Sequence, residues 1–267
     1  MDQSRHLSPL LEIDENEVSR NKRSIPWVRL IEGLQAGGCP LCEIVNASMH
    51  KHVDSILYEY VNDVGVRKVL HSSFGFCNRH AWLAKDVELE LHSDGQHLAT
   101  LHESLLHAEI RLLEEASATK RTAQRKRLGR KAPDPIMQRI LNTIRPVEEC
   151  MICAGGRRAE EFYAGQCALM YTDDEFRSLF EAERILPCRP HFITLVLEAK
   201  EPEALDYFLR QQIIKLKRLY DQLKLFLEKH DVRYKDAPHG AEWTSWIETL
   251  EHFSSKPGID RPWDRPL

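Results

Sequence analysis

Apolar residues along this chain recur at intervals of three and four, the period of a helix face, and nowhere alternate over a strand-length run. That pattern predicts an all-α protein with almost no sheet. Short amphipathic helices are expected from Pro26 to Ala36 and from Pro135 to Arg145, each with a proline near its start, where a missing amide hydrogen costs nothing. Two long helices, Gly95 to Ser117 and Pro202 to Lys229, carry leucines seven apart: Leu98, Leu105 and Leu112 in one, Leu209, Leu216 and Leu223 in the other. Such stripes serve as dimer seams or as internal packing faces, and internal packing is the preferred reading. A last amphipathic segment, with Trp243, Trp246, Ile247, Leu250 and Phe253, is expected to dock its apolar stripe on the body.

The two long helices correspond at a single offset: 209−98, 216−105 and 223−112 all give 111. Tyr60 matches Tyr171, Asp63 matches Asp174 and Ala108 matches Leu219 at the same offset. So do eight ligand-type residues. Cys39-Pro-Leu-Cys42 with Cys77-Asn-Arg-His80 recurs as Cys150-Met-Ile-Cys153 with Cys188-Arg-Pro-His191. The expectation is two tandem, pseudo-symmetric helical repeats, at 25–118 and 135–232, each with its own CxxC…CxxH zinc knuckle. Residues 1–24 read as a flexible leader, 119–134 as a basic linker, and 233–267 as a tail bearing the tryptophan helix. Within the first repeat the chain leaves along a helix near Glu43 to Val61, turns at Asn62 to Gly65, and returns near Val66 to His71. That detour is expected to bring the second ligand pair back to the first.

Zinc takes four ligands in a tetrahedron, usually thiolate and imidazole, so three cysteines and one histidine form an ordinary structural set. Both pairs are expected where helices begin, and the positive end of a helix favours thiolate. Three thiolates and one zinc ion leave a charge of −1, which Arg79 and Arg189 in the CxxH loops would offset. Two zinc ions per chain follow. An iron–sulfur cluster and a dithiol redox pair stay open as alternatives, although clusters prefer four cysteines and no thioredoxin-like context surrounds the CxxC. A catalytic zinc would keep one coordination position open, and here protein fills all four. No residue is assigned a catalytic role: the chain has no phosphate-binding glycine loop, nucleophile elbow or paired carboxylates.

Composition adds little. The 267 residues carry a formal charge of −4, too mild to draw the whole chain to nucleic acid or membrane. No apolar run is long enough for a membrane span, and no signal peptide is evident, so a cytoplasmic location is expected. Seven cysteines in that setting argue for metal binding over disulfides; the seventh, Cys167, reads as a small buried apolar residue. His92, His97, His102 and His107, five apart, spread around a helix and read as surface residues. The basic run Lys120 to Lys131 lacks interleaved aromatics and reads as a linker, with nucleic-acid binding as the rival.

The CPxC knuckle, the Gly75-Phe-Cys-x-x-His-x-Trp82 element, and the second CxxC and CxxH together resemble an uncharacterised bacterial family, domain of unknown function 6062. The resemblance runs from about Pro26 to about Phe253 and departs at Met151, which stands where the first knuckle has Pro40. It implies a bacterial, cytosolic helical protein and no particular activity. The expected role is therefore non-enzymatic: a zinc-stabilised scaffold that binds a protein partner. The alternatives are a thiol/zinc redox sensor, with Cys167 as resolving thiol, and a nucleic-acid-binding protein that uses the basic linker.

Overall fold

The computed structural model describes residues 24–92, 94–118, 145–234 and 238–258. The leader up to residue 23, the basic linker, the expected helix from Pro135 up to residue 144, and the last nine residues lie outside them. The protein is all-α. In chain order the helices are α1 (Ile25–Ala36), α2 (Pro40–Tyr58), α3 (Val64–Ser72), α4 (Asn78–Val87), α5 (Gln96–Ala118), α6 (Met151–Met170), α7 (Asp174–Phe180), α8 (Arg189–Glu198), α9 (Pro202–Lys229) and α10 (Ser245–Ser254). A π-turn at Glu88–His92 follows α4, and 3-10 turns at Val232–Tyr234 and Ala241–Thr244 precede α10. Among the described residues the β-type pairing is one isolated bridge, Gly38 to Ile185.

Local chemistry sets the helix ends. Ser24 caps α1 by accepting from the Trp27 amide, and Gly37 closes it at φ 87°, a left-handed conformation that a Cβ disfavours. Asp63 caps α3 through the Val66 amide at 2.8 Å. In the second repeat Asp173 caps α7, accepting from Glu175 and Phe176, so the capping role sits one residue before Asp174, the match expected from the offset.

The described chain divides into two compact units. One is His50–Gly155; the other joins 24–49 to 156–258. These boundaries differ from the sequence repeats, because α2 and α6 each contribute their first turns to one unit and their remainder to the other. Val53, Ile56, Leu57, Leu70, Ala84, Val87, Leu101 and Ile152 are buried in the first unit. Its α2 and α6 portions approach closely: a Cβ on Gly155 would lie 2.7 Å from His52 Nδ1. The second unit buries Leu30, Leu34, Leu41, Ile185 and Leu195, with a cluster in which Phe176 and Phe208 flank Phe180 at 5.3 Å each.

Helix α10 docks in the opposite sense to the one expected. Its inward side is polar, with Ser245 and His252 buried, while Trp246, Leu250 and Phe253 are about half exposed. The reason lies in the surface it meets. Glu248 pairs with Arg218 of α9 at 3.2 Å, Lys256 pairs with Glu43 of α2, and Ser255 Oγ lies 3.3 Å from Cys188 Sγ.

Helix α9 also buries a charge. Lys215 is 3% exposed, donates to the Ala182 carbonyl at 2.9 Å and lies 5.7 Å from the centre of the Phe180 ring. Burial, aided by nearby Arg218, pushes its pKa down to about 8. Below that pH the folded protein bears the full cost of the ammonium. Between pH 8 and the unfolded lysine value of about 10.4, the unfolded chain holds the proton and the folded chain does not, so stability rises. Lys215→Met is therefore expected to raise stability at pH 7 by about 1 kcal/mol, after discounting for solvent screening and the lost hydrogen bond. Urea titrations of both proteins at pH 7 and pH 10 check this: the variant's advantage should shrink at the higher pH.

Candidate metal centres

Each ligand pair sits at a helix start. Cys39 immediately precedes α2 and Cys42 lies in its first turn; Cys150 and Cys153 hold the same places at α6. Cys77 and Cys188 are the N-cap residues of α4 and α8, and His80 and His191 follow one turn later. Unpaired amides and the positive helix ends thus surround the sulfurs, as the sequence reading expected.

The eight residues form two tight clusters, and the pairing differs from the expected one. Cys39 and Cys42 join Cys188 and His191 in the second unit; Cys77 and His80 join Cys150 and Cys153 in the first. Each cluster takes its CxxC from one sequence repeat and its CxxH from the other. The expected sets, Cys39/Cys42/Cys77/His80 and Cys150/Cys153/Cys188/His191, do not form. The division of the chain accounts for this: α2 and α6 each begin in one compact unit and end in the other, so the CxxH that follows each helix lies in the other unit. Helix α2 has 19 residues and carries the chain outward about 28 Å, while α3, with nine, returns it about 13 Å. In the second repeat, α6 runs out about 30 Å over 20 residues and α7 returns about 10 Å over seven.

The distances fit a tetrahedral ion. In the second unit His191 Nδ1 lies 3.4, 3.3 and 3.3 Å from the sulfurs of Cys39, Cys42 and Cys188, and Cys42 and Cys188 are 3.7 Å apart. In the first unit His80 Nδ1 lies 3.3, 3.6 and 3.3 Å from Cys77, Cys150 and Cys153, and Cys77 and Cys153 are 3.7 Å apart. A tetrahedron with zinc–sulfur and zinc–nitrogen bonds of about 2.3 and 2.0 Å has edges of about 3.8 and 3.5 Å. Such sulfur separations are far too long for disulfides, and the cysteines are free.

The crowded thiols share charge unevenly. Hydrogen bonds from Cys39 and then Cys42 hold Cys188 far below the ordinary thiol range, while burial raises Cys39 and the Cys188 thiolate raises Cys42. In the first unit a hydrogen bond with Cys153 lowers Cys150 to about 3. Metal binding displaces the remaining thiol protons, so acid opposes it.

The surroundings of the two clusters differ. All four ligands in the second unit are buried, whereas Cys77 and Cys153 in the first are partly exposed. His191 Nε2 faces the buried Glu160 carboxylate at 3.4 Å. A carboxylate there fixes the tautomer that leaves Nδ1 free to ligate, and it raises the ring's basicity. His80 Nε2 instead lies 3.0 Å from Arg79 Nη2, a group that only donates and so favours the proton on Nδ1. A metal ion held through Nδ1 would require the ring proton on Nε2, where it would face the arginine donor. The first cluster is therefore expected to release its metal first under a chelator. Glu160→Gln should weaken the second cluster by about 10- to 100-fold. Time-resolved metal release in wild type and variant checks both: a single release phase in wild type, or no effect of the variant, would contradict this difference.

Arg189 opens α8 and lines a groove described below. Cys167 is buried and its thiol is pushed up to about 12 by burial, which makes it a packing residue with little thiolate. His97 and His102 are partly buried and engage Glu88 and the Leu98 carbonyl, and only His107 among the three is exposed. A cavity of about 30 Å³ touches Cys39, Cys42 and Cys188, room for a water or two. Glu160 and Ser255, which adjoin His191 and Cys188, carry no motif in the sequence. Glu160 had no repeat signal, because the residue 111 positions earlier is Met49.

An all-helical chain with two clusters of three cysteines and one histidine, each able to hold a metal ion, is the class these features define. The chain belongs to the DUF6062 family, a family of unknown function, whose profile matches residues 21–256. It is similar to an uncharacterised 23.9 kDa protein in the xynA 3' region of Caldicellulosiruptor sp. (strain Rt8B.4), with 24% identity over 210 residues covering 76% of this chain and 88% of the relative. No solved structure matches. Among the described residues no helix is long and apolar enough to cross a membrane.

Proposed function

We propose that Cys39, Cys42, Cys188 and His191 hold one zinc ion, that Cys77, His80, Cys150 and Cys153 hold a second, and that the protein is a non-enzymatic, cytoplasmic scaffold that binds a protein partner. The observation that supports this most is the closure of each cluster: four protein donors meet at tetrahedral spacing. Zinc so enclosed supplies cross-linking and leaves no coordination position for a substrate. The chain's own part is to start α2, α4, α6 and α8 at the ligands and hold their amides toward the thiolates. Arg79 and Arg189 would offset the negative charge. Metal analysis of the purified protein tests the reading. Two zinc ions per chain without visible absorption support it; a coloured iron cluster, or a fully helical protein without metal, ends it.

A second reading, a thiol/zinc sensor, draws on the partial exposure of Cys77 and Cys153. A hydroperoxide would take two electrons from that thiolate pair, forming one disulfide, consuming two protons and leaving as water and an alcohol, with zinc released. Retention of both metals in excess hydroperoxide would remove it. Cys167 has no part in such a step, being buried and protonated. Nucleic-acid binding through 119–134 concerns residues outside the described ones, and a flat response of binding to salt would end it.

A further inference from the structure

Helix α9 has two distinct faces. The face turned into its own unit carries Ala204, Phe208, Gln212, Lys215 and Leu219. A neighbouring face carries Leu209, Ile213, Leu216, Tyr220, Leu223 and Leu227, at intervals of four and three in alternation. That spacing is the a/d pattern by which one helix receives another, and it runs for about 27 Å. Yet Leu209, Ile213, Tyr220 and Leu227 are 40, 51, 63 and 63% exposed. Leu216, Tyr220 and Leu223 also floor a groove of about 430 Å³, walled by Phe192 of α8 and Phe253 of α10. The heptad leucines Leu209, Leu216 and Leu223, expected to pack internally, lie beside the inward face and not on it.

The charges beside this seam restrict what can lie on it. Arg210, Lys217 and Lys224 stand seven apart along one edge, each one residue after a seam leucine. Arg210 is held by Asp206 at 2.8 Å, and Lys224 lies 5.9 Å from the centre of the Tyr220 ring. A second copy docked antiparallel would set these cations against their own kind. Docked parallel, it would set them against the side that carries Gln212, Leu219 and Phe226, which holds no acidic group and of which Gln212 and Leu219 are buried in their own unit. We propose that the α9 seam receives an amphipathic helix of another protein whose apolar stripe is flanked by glutamate or aspartate. This rests on the scaffold reading above and names the partner's chemistry. Apolar contact along the groove supplies affinity, and Lys217 and Lys224 select the acidic partner, Arg210 being already paired with Asp206.

The test uses the full-length, metal-loaded protein and two labelled peptides of about three heptads. Both carry leucine and isoleucine at seam positions; one has glutamate on its flanks and the other lysine. Fluorescence anisotropy should show the glutamate peptide binding about tenfold or more tighter, with the preference falling as salt rises. Lys217→Glu combined with Lys224→Glu should reverse the preference, and Ile213→Glu should abolish binding of both peptides with metal content and helicity unchanged. Equal binding of the two peptides, or none, overturns the proposal. So does sedimentation showing a dimer that Ile213→Glu dissociates, which would give the seam to a second copy. Metal content measured on the same samples reports on the scaffold reading separately, so the two can fail independently.

Discussion

Stripping both metals with a chelator is expected to abolish most of the helical circular dichroism of this protein, and restoring zinc is expected to bring it back. Binding free energies for structural zinc run to about 10–16 kcal/mol per site at neutral pH, against about 5–15 kcal/mol for the whole stability of a domain. The topology sharpens the effect. In the second unit the metal would tie Cys39 and Cys42 to Cys188 and His191, segments nearly 150 residues apart in sequence. Without that tie, the thiols and His191 remain as a buried polar cluster whose charges no longer have a central cation. The same loss should follow acidification, because protons compete with zinc for the thiolates: stability present at neutral pH falls as pH is lowered. Circular dichroism with metal analysis during chelator titration measures both quantities at once. Helicity that survives complete loss of metal would reduce the ions to accessories.

The eight residues that cluster and the helix starts beside them were legible because they are local. A CxxC or CxxH needs only its own turn of helix, and at α2 and α8 Pro40 and Pro190 mark where that turn begins. Helix α9, read as Pro202 to Lys229, has those bounds in the structure. Ligand pairing was not legible, because an offset of 111 says that two segments are alike and nothing about which of them meet. What decides it is the division into compact units, in which α2 and α6 each end in the unit that does not hold their own CxxC. The docking of α10 was misread for a related reason. Its pattern shows which face is apolar, but the surface it meets holds Arg218, Glu43 and a cysteine cluster, so Glu248, Lys256 and Ser255 on and just after α10 decide the contact. Glu160 could not be inferred from repetition, since its support for His191 exists in one unit only.

Crosswise pairing makes a prediction that no reading from the repeats alone would make. Removing one ligand from each of two pairs tells which pairs share an ion. Cys42→Ser with Cys188→Ser removes two ligands of one cluster and none of the other, so one metal per chain should remain. Cys42→Ser with Cys77→Ser removes one ligand from each cluster, and both metals should be lost or held only weakly. Had each repeat closed its own site, the two results would be exchanged. The folding readout should follow the metal. The first double variant keeps the cluster of His50–Gly155, so a cooperative, metal-dependent transition should survive for that unit alone. The second should unfold without a distinct transition. Serine leaves a hydroxyl where the thiolate stood, a close match in size and a poor zinc ligand, so cavity formation contributes little to the difference. Equal metal content in the two double variants would mean that the clusters do not act as independent cages, and the assignment of four ligands to each ion would have to be abandoned.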